Sequence, residues 1–190
     1  SSNLVEATQD AGAYVQLSGV LKRVAVKLSK ICNDLRLLSS GPRAGLNEIN
    51  LPRMAPGSSI MPGKVNPVIP EVVSQIAFEV VGNDITVTMA AEAGQLELNP
   101  MEPVIAFNLF RSIDILGRGC RTVAERCIDG ITANREHMSR MVERSIGLAT
   151  ALNPYLGYEK ATEIANLALE SGRPVYDIVL EKGYLSKEDL

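Results

Sequence analysis

Apolar residues recur along this chain at helical steps over long stretches. Leu17, Leu21, Val24, Leu28, Ile31, Leu35 and Leu38 follow one another at alternating intervals of four and three. That is a heptad seam, which calls for a helix and a partner to lie against. A second seam runs through Ala106, Leu109, Ile113, Leu116, Cys120, Val123 and Cys127. Between them Ile69, Val73, Ile76, Val80 and Val87 keep a similar step, broken at Asn83. The spacing predicts three long helices, at about 9–39, 68–93 and 103–128, each roughly 40 Å long at 1.5 Å per residue. Long helices with seams imply a bundle. The middle helix also carries Val68, Val72, Ala77 and Val81, so it is apolar around much of its circumference and must be covered on several sides. Three helices do not easily cover it. The expectation is a homo-oligomer, a tetramer, whose bundle helices are shared between subunits.

Glycine and proline mark the breaks. Gly41-Pro42 ends the first helix. Residues 41–67 then hold five of the ten prolines, at 42, 52, 56, 62 and 67. An irregular stretch of that length between economical helices is functional or disordered, and Leu46, Ile49, Leu51, Ile60 and Met61 argue against disorder. Residues 94–103 form a second loop, and Gly130 closes the third helix. Beyond it the helical patterns shorten, near 133–144, 145–152, 158–170 and 174–182, separated by Asn153-Pro154, Gly172-Arg173-Pro174 and Gly183. The fold class expected is all-α, a long-helix bundle with a small C-terminal helical domain. Residues 1–130 would be part of a central bundle domain and 131–190 the small domain. Ser186-Lys187-Glu188-Asp189 has capping-box spacing, so the sequence is expected to truncate a helix at its end.

Composition narrows the function classes. Hydrophobic residues make up 46%, charged residues 22%, and the net charge is −3, an ordinary globular balance. There is no basic footprint for nucleic acid or anionic lipid. No run approaches the ~20 apolar residues of a membrane span, and the start lacks the basic and apolar blocks of a signal peptide. Cys32, Cys120 and Cys127 are an odd set without CxxC spacing, expected as reduced thiols in a cytoplasmic protein. His137 is the single histidine. It sits in a polar run and is expected at the surface, and a histidine-based metal site is not expected.

The chemistry concentrates in Gly57-Ser58-Ser59-Ile60-Met61-Pro62-Gly63-Lys64-Val65-Asn66-Pro67. Two hydroxyls, an ammonium and an amide share a backbone that glycine makes pliable and proline pins. Lys64 and Asn66 precede the next helix, and a helix N-terminus beside a lysine can hold an anion. A structural loop whose Ser and Asn cap helices is an equally good reading of these residues. A nucleotide-binding P-loop is not, because five residues separate the glycines, Val65 follows the lysine, and no strand precedes the loop.

Those eleven residues resemble the signature of the aspartase/fumarase superfamily over its whole length. Asn33-Asp34-Leu35-Arg36, Ser40-Gly41-Pro42-Arg43, Gly82-Asn83-Asp84 and Leu96-Glu97-Leu98-Asn99 extend the resemblance on both sides, and it covers essentially the whole chain. Within the superfamily, Ala90-Ala91-Glu92-Ala93-Gly94-Gln95-Leu96-Glu97-Leu98-Asn99-Pro100-Met101-Glu102-Pro103-Val104 looks like the aspartases. The resemblance implies a lyase that reversibly eliminates ammonia from L-aspartate to give fumarate, with no cofactor. It implies Ser58 as the general base. Ser59, Lys64, Asn66 and loop amides would hold the substrate, and Glu71 would contact an active-site histidine from another chain segment. Glu71 also reads as a first-turn acid that complements the helix dipole. The family's sites need further Thr, Ser, Asn and His groups from segments not present here, contributed by other subunits of a homotetramer. This chain alone is therefore expected to be inactive.

Three other readings compete. A fumarate hydratase of the same superfamily is disfavoured by residues 92–104. A non-catalytic helical scaffold is disfavoured by the intact Ser58, Lys64 and Asn66. A helix-turn-helix regulator built on 158–182 is disfavoured by Glu159, Glu163, Glu170, Asp177 and Glu181.

Overall fold

Three long antiparallel helices dominate the first of two units in the computed structural model, which describes residues 2–188. A short helix α1 (Leu4–Gln9) opens the chain, capped by Asn3, whose side chain accepts the Glu6 N–H. Helix α2 (Gly12–Leu38) follows after Asp10 turns the backbone extended. The helix predicted at about 9–39 is α2, and the short α1 before it was not predicted. Helices α3 (Val68–Glu92) and α4 (Glu102–Arg126) complete the bundle. Asn99 joins them: its Nδ2 donates to the Ala90 and Ala91 carbonyls and its Oδ1 accepts the Met101 N–H. One buried amide thus caps both helix ends across the 94–103 loop.

Three core layers stack along the bundle. Ala11, Val87, Ala90, Ile105 and Leu109 form one end. Ala25, Ala77, Val80 and Leu116 form the middle, and Cys32, Val73, Val123 and Cys127 the other end. The pairing of α2's start with α3's end, and of α3's end with α4's start, fixes the antiparallel order.

The seams face inward only in part. On α2 the buried stripe is Ser18, Ala25 and Cys32, flanked by half-buried Leu21, Leu28 and Leu35. Leu17, Val24 and Ile31 lie outside, each about two-fifths exposed. On α4 the buried residues are Ile105, Asn108, Leu109, Ser112, Leu116, Gly119 and Val123, while Ala106 and Ile113 face out. Small residues win the inner positions because they let the helix backbones approach closely, and the displaced branched side chains are left on the outer face. The α3 seam likewise runs through Asp84 rather than breaking at Asn83. The Asp84 carboxylate accepts from the Ser18 hydroxyl at 2.8 Å and pairs with Lys22. Asn83 donates to Ser112 Oγ at 3.0 Å.

A two-residue pairing ties the irregular stretch to the bundle. Strand β1 (Ile49–Asn50) lies antiparallel to β2 (Thr132–Ala133), with Asn50 Nδ2 donating to Thr132 Oγ1. Leu51 packs on the Cys32–Val123 layer. Pro52 fits against Gly130, where a Cβ would sit 2.5 Å from its ring. No strand was expected, since two residues are too short for alternation to register.

The two units are Ser1–Ala133 and Asn134–Leu190. The second unit holds α5 (Arg135–Glu143), α6 (Leu148–Ala151), α7 (Asn153–Leu156), α8 (Tyr158–Ser171) and α9 (Val175–Glu181). Its core is Ala149, Leu152, Ala161, Ile164, Ala168, Val175, Ile178 and Val179. Asn153-Pro154 starts α7 instead of breaking the chain, because proline is tolerated in a first helical turn. Gly172, at φ 67°, ends α8 in the left-handed cap conformation. His137 is half-buried on α5, not fully solvated as expected. The helix expected to open at Ser186-Lys187-Glu188-Asp189 reaches outside the described residues. Among the described residues no helix is long and apolar enough to cross a membrane.

Candidate functional site

The 57–67 loop spans from the β1 side of the bundle to the start of α3. It closes on itself through two hydrogen bonds at Gly57. The Gly57 N–H donates to the Lys64 carbonyl at 2.9 Å, and its own carbonyl accepts from Asn66 Nδ2 at 2.8 Å. Only glycine fits there, because a Cβ would lie 2.2 Å from the Lys64 oxygen. At the far side Gly63 takes φ 79°, the left-handed region open to glycine.

Inside this ring Ser58 Oγ accepts from two backbone N–H groups, Ile60 at 3.1 Å and Met61 at 3.2 Å. Two donors on one hydroxyl oxygen favour its anionic form over an ordinary serine's. Ser59 is exposed on the rim beside it. Arg53, Ser58 and Lys64 line one concavity of about 450 Å³. Lys64 and Asn66 line another of about 390 Å³, together with Ser39, Asn47 and Asn50. The ammonium-bearing residue therefore stands between two hollows, one toward the serine and one toward the end of α2.

At the helix N-terminus part of the donor set is already used. The Val68 N–H is taken by the Asn66 carbonyl and the Glu71 N–H by the Pro67 carbonyl. Pro70 has no N–H at all. Lys64 and Arg53 bring positive charge to the loop beside this helix start. Glu71 lies in that first turn and faces Arg36 in the last turn of α2, with Arg36 Nη2 3.9 Å from Glu71 Oε1. Each charge thereby complements its own helix dipole.

Arg53 was missed in the sequence. Its Nη2 donates to the Gly63 carbonyl at 3.1 Å. The available signal was that Arg53 is the one charged residue between Ile49 and Gly63. Two thiols also sit close to this end of the bundle. Burial, with Cys127 nearby, pushes the Cys32 thiol up to about 11, and burial raises Cys127 too. Neither thiol is suited to act as a nucleophile. Among the described residues no cluster of His, Cys, Asp and Glu could hold a metal ion.

The fold and sequence of this chain are matched by known proteins. A family model described as "Lyase" covers residues 1–82, and one described as "Fumarase C C-terminus" covers 148–190. Among solved structures, a fumarate lyase:delta crystallin from Brucella melitensis, in native form, superposes with a TM-score of 0.90 at 61% identity, over 96% of this chain and 41% of its own. A class II fumarase from Schistosoma mansoni gives 0.92 at 38% identity, over 100% of this chain and 40% of its own. The chain belongs to the all-helical aspartase/fumarase superfamily of lyases.

Within that superfamily its curated relatives include aspartate ammonia-lyases. Those of Helicobacter pylori (strain ATCC 700392 / 26695) and Escherichia coli (strain K12) are 66% and 58% identical over all 190 residues. That of Pseudomonas fluorescens is 66% identical over 185 residues, 97% of this chain and 39% of the relative. The chain spans about two-fifths of the length of these relatives, 41% for the first and 40% for the second.

Proposed function

We propose that this chain is the part of an aspartate ammonia-lyase that carries the base and one wall of the active site. The observation behind the proposal is the Ser58 hydroxyl oxygen, held by the N–H groups of Ile60 and Met61. Elimination requires removing a proton from the carbon next to the β-carboxylate, which is a poor acid. Serine becomes a competent base only where its alkoxide is stabilised. Two preorganised backbone donors supply such stabilisation without reorganisation at the moment of reaction, and Lys64 lines the same concavity. Ser58 takes the Cβ proton, and the electron pair passes into the β-carboxylate as a doubly charged aci-carboxylate. Lys64, Asn66, Ser59 and loop amides hold that charge. The pair then returns to form the double bond as the Cα–N bond breaks, releasing ammonia and leaving fumarate. Asn66 also staples the loop through Gly57, so its substrate contact and its structural role share one side chain. Glu71, paired here with Arg36, is the group that would steady a histidine supplied by another segment.

The remaining walls come from segments outside this chain, brought together in a cytoplasmic homotetramer through the bundle helices. The outward stripes of Leu17, Val24 and Ile31 on α2 and of Phe78 and Ile85 on α3 favour that assembly. The 58–66% identity to aspartate ammonia-lyases favours them over the fumarase, at 38%.

The test is Ser58→Ala in the full-length protein, with L-aspartate and L-malate as alternative substrates. Loss of aspartate turnover by about 10³-fold or more, with folding retained, is expected for removal of a general base. Near-normal turnover in Ser58→Ala would overturn the base assignment, and turnover of malate alone would identify a fumarase. The isolated 190-residue chain is expected to form no fumarate.

A further inference from the structure

We infer that Arg53 is a positioning residue, which fixes the Gly63–Lys64 peptide plane and through it the direction in which Lys64 leaves the loop. The inference rests on the reading of the loop as a carboxylate site.

The peptide after Gly63 is the one most easily rotated. Gly63 has no Cβ, sits at φ 79°, and has open space where a Cβ would stand. Two hydrogen bonds hold that plane. Its carbonyl accepts from Arg53 Nη2 at 3.1 Å. Its N–H, on Lys64, donates to the Met61 carbonyl at 3.3 Å, toward the long end of the range. The next carbonyl, that of Lys64, is tied to Gly57 at 2.9 Å. Arg53 thus holds the carbonyl end of the plane, and a charged donor makes the stronger bond of the two.

Arg53 is also well founded for this task. It lies three residues after β1, which pairs with β2. Leu51 packs on a core layer and Pro52 seats against Gly130. The guanidinium therefore runs from an anchored segment of backbone to the tip of the loop. It is permanently charged and carries five N–H donors, so one can hold a carbonyl while the charge adds to that of Lys64 on the concavity both line.

The experiment uses Arg53→Ala and Arg53→Lys. In the 190-residue chain, hydrogen exchange of the Lys64 amide is expected to quicken about tenfold in Arg53→Ala, the loss of roughly one hydrogen bond, and to return toward the wild-type rate in Arg53→Lys. In the full-length protein, kcat for L-aspartate is expected to fall about tenfold in Arg53→Ala with KM nearly constant, and to recover in Arg53→Lys. Unchanged Lys64 exchange in Arg53→Ala overturns the inference. So does a lowered kcat with unchanged exchange, which would place Arg53 on the substrate itself. If the wild-type full-length protein fails to turn over aspartate, the proposed function falls, and the exchange measurement still decides the role of Arg53.

Discussion

Gly57→Ala separates the loop's chemistry from the stability of the bundle. An added Cβ would stand 2.2 Å from the Lys64 oxygen, against an ordinary contact of about 3.4 Å. The Lys64 carbonyl must retreat by roughly 1 Å. That breaks the Gly57–Lys64 bond and disturbs the Asn66–Gly57 bond, at 2.9 and 2.8 Å. Each is worth about 0.5–1.5 kcal/mol, and water can reach an exposed loop and replace part of it. The expected loss of stability is about 1–2 kcal/mol, or a few degrees in Tm for a unit of this size. Turnover should suffer far more, because Ser58 and Lys64 lose their mutual placement. A displacement of about 1 Å is enough to cost roughly 100-fold. Thermal melting of the 190-residue chain and steady-state fumarate formation by the full-length protein measure the two effects. Gly63→Ala is the contrast, since it meets open space and incurs only the left-handed backbone cost of about 1–2 kcal/mol. A Gly57→Ala enzyme with kcat within threefold of wild type would refute the reasoning that ring closure sets the site.

Two further outcomes follow from the bundle. The Cys32 thiol is raised from 9.0 to about 11, so it favours the folded state fully below pH 9, and that contribution disappears as pH rises from 9 through 11. By pH 11 about 2 kcal/mol of it is gone. Urea unfolding should show wild type losing that much more stability than Cys32→Ala between pH 8 and 11, and equal losses would contradict the assignment. Phe78→Lys with Ile85→Lys, both on the outer face of α3, should dissociate the assembly in sedimentation without lowering helicity. A wild-type chain that is already a stable monomer at micromolar concentration would dismiss the shared bundle.

The three long helices were legible because their period repeats over many turns, while their inward faces were not. Counting apolar residues selected Leu17, Val24 and Ile31 as core, and the structure buries Ser18, Ala25 and Cys32 instead. Close packing rewards small size as much as hydrophobicity, and a heptad pattern does not say which of two adjacent stripes meets a neighbour in its own chain. Asp84 was hidden for a related reason: a carboxylate belongs in a seam only if partners such as Ser18 and Lys22 come from another helix, and a one-dimensional pattern cannot supply them. The loop's candidate residues were readable, and the structure brings Ser58, Lys64 and Asn66 together on one loop. Which backbone groups face Ser58 was not readable, because that depends on how Gly57 and Gly63 turn the chain.

The charge balance at the start of α3 sharpens what Lys64 has to do. A helix N-terminus ordinarily attracts an anion through its free N–H groups and dipole. Here the Val68 donor is used within the chain, Pro70 has none, and the Glu71 carboxylate already occupies the favourable position beside Arg36. The dipole at this helix start is thus already met in part by the chain's own carboxylate. An anion drawn to this loop would meet Lys64, which lines both concavities there. This explains why the loop is closed so tightly at Gly57. A lysine on a slack loop would bring charge but no fixed geometry, and differential stabilisation of a transition state requires donors already in place when charge develops.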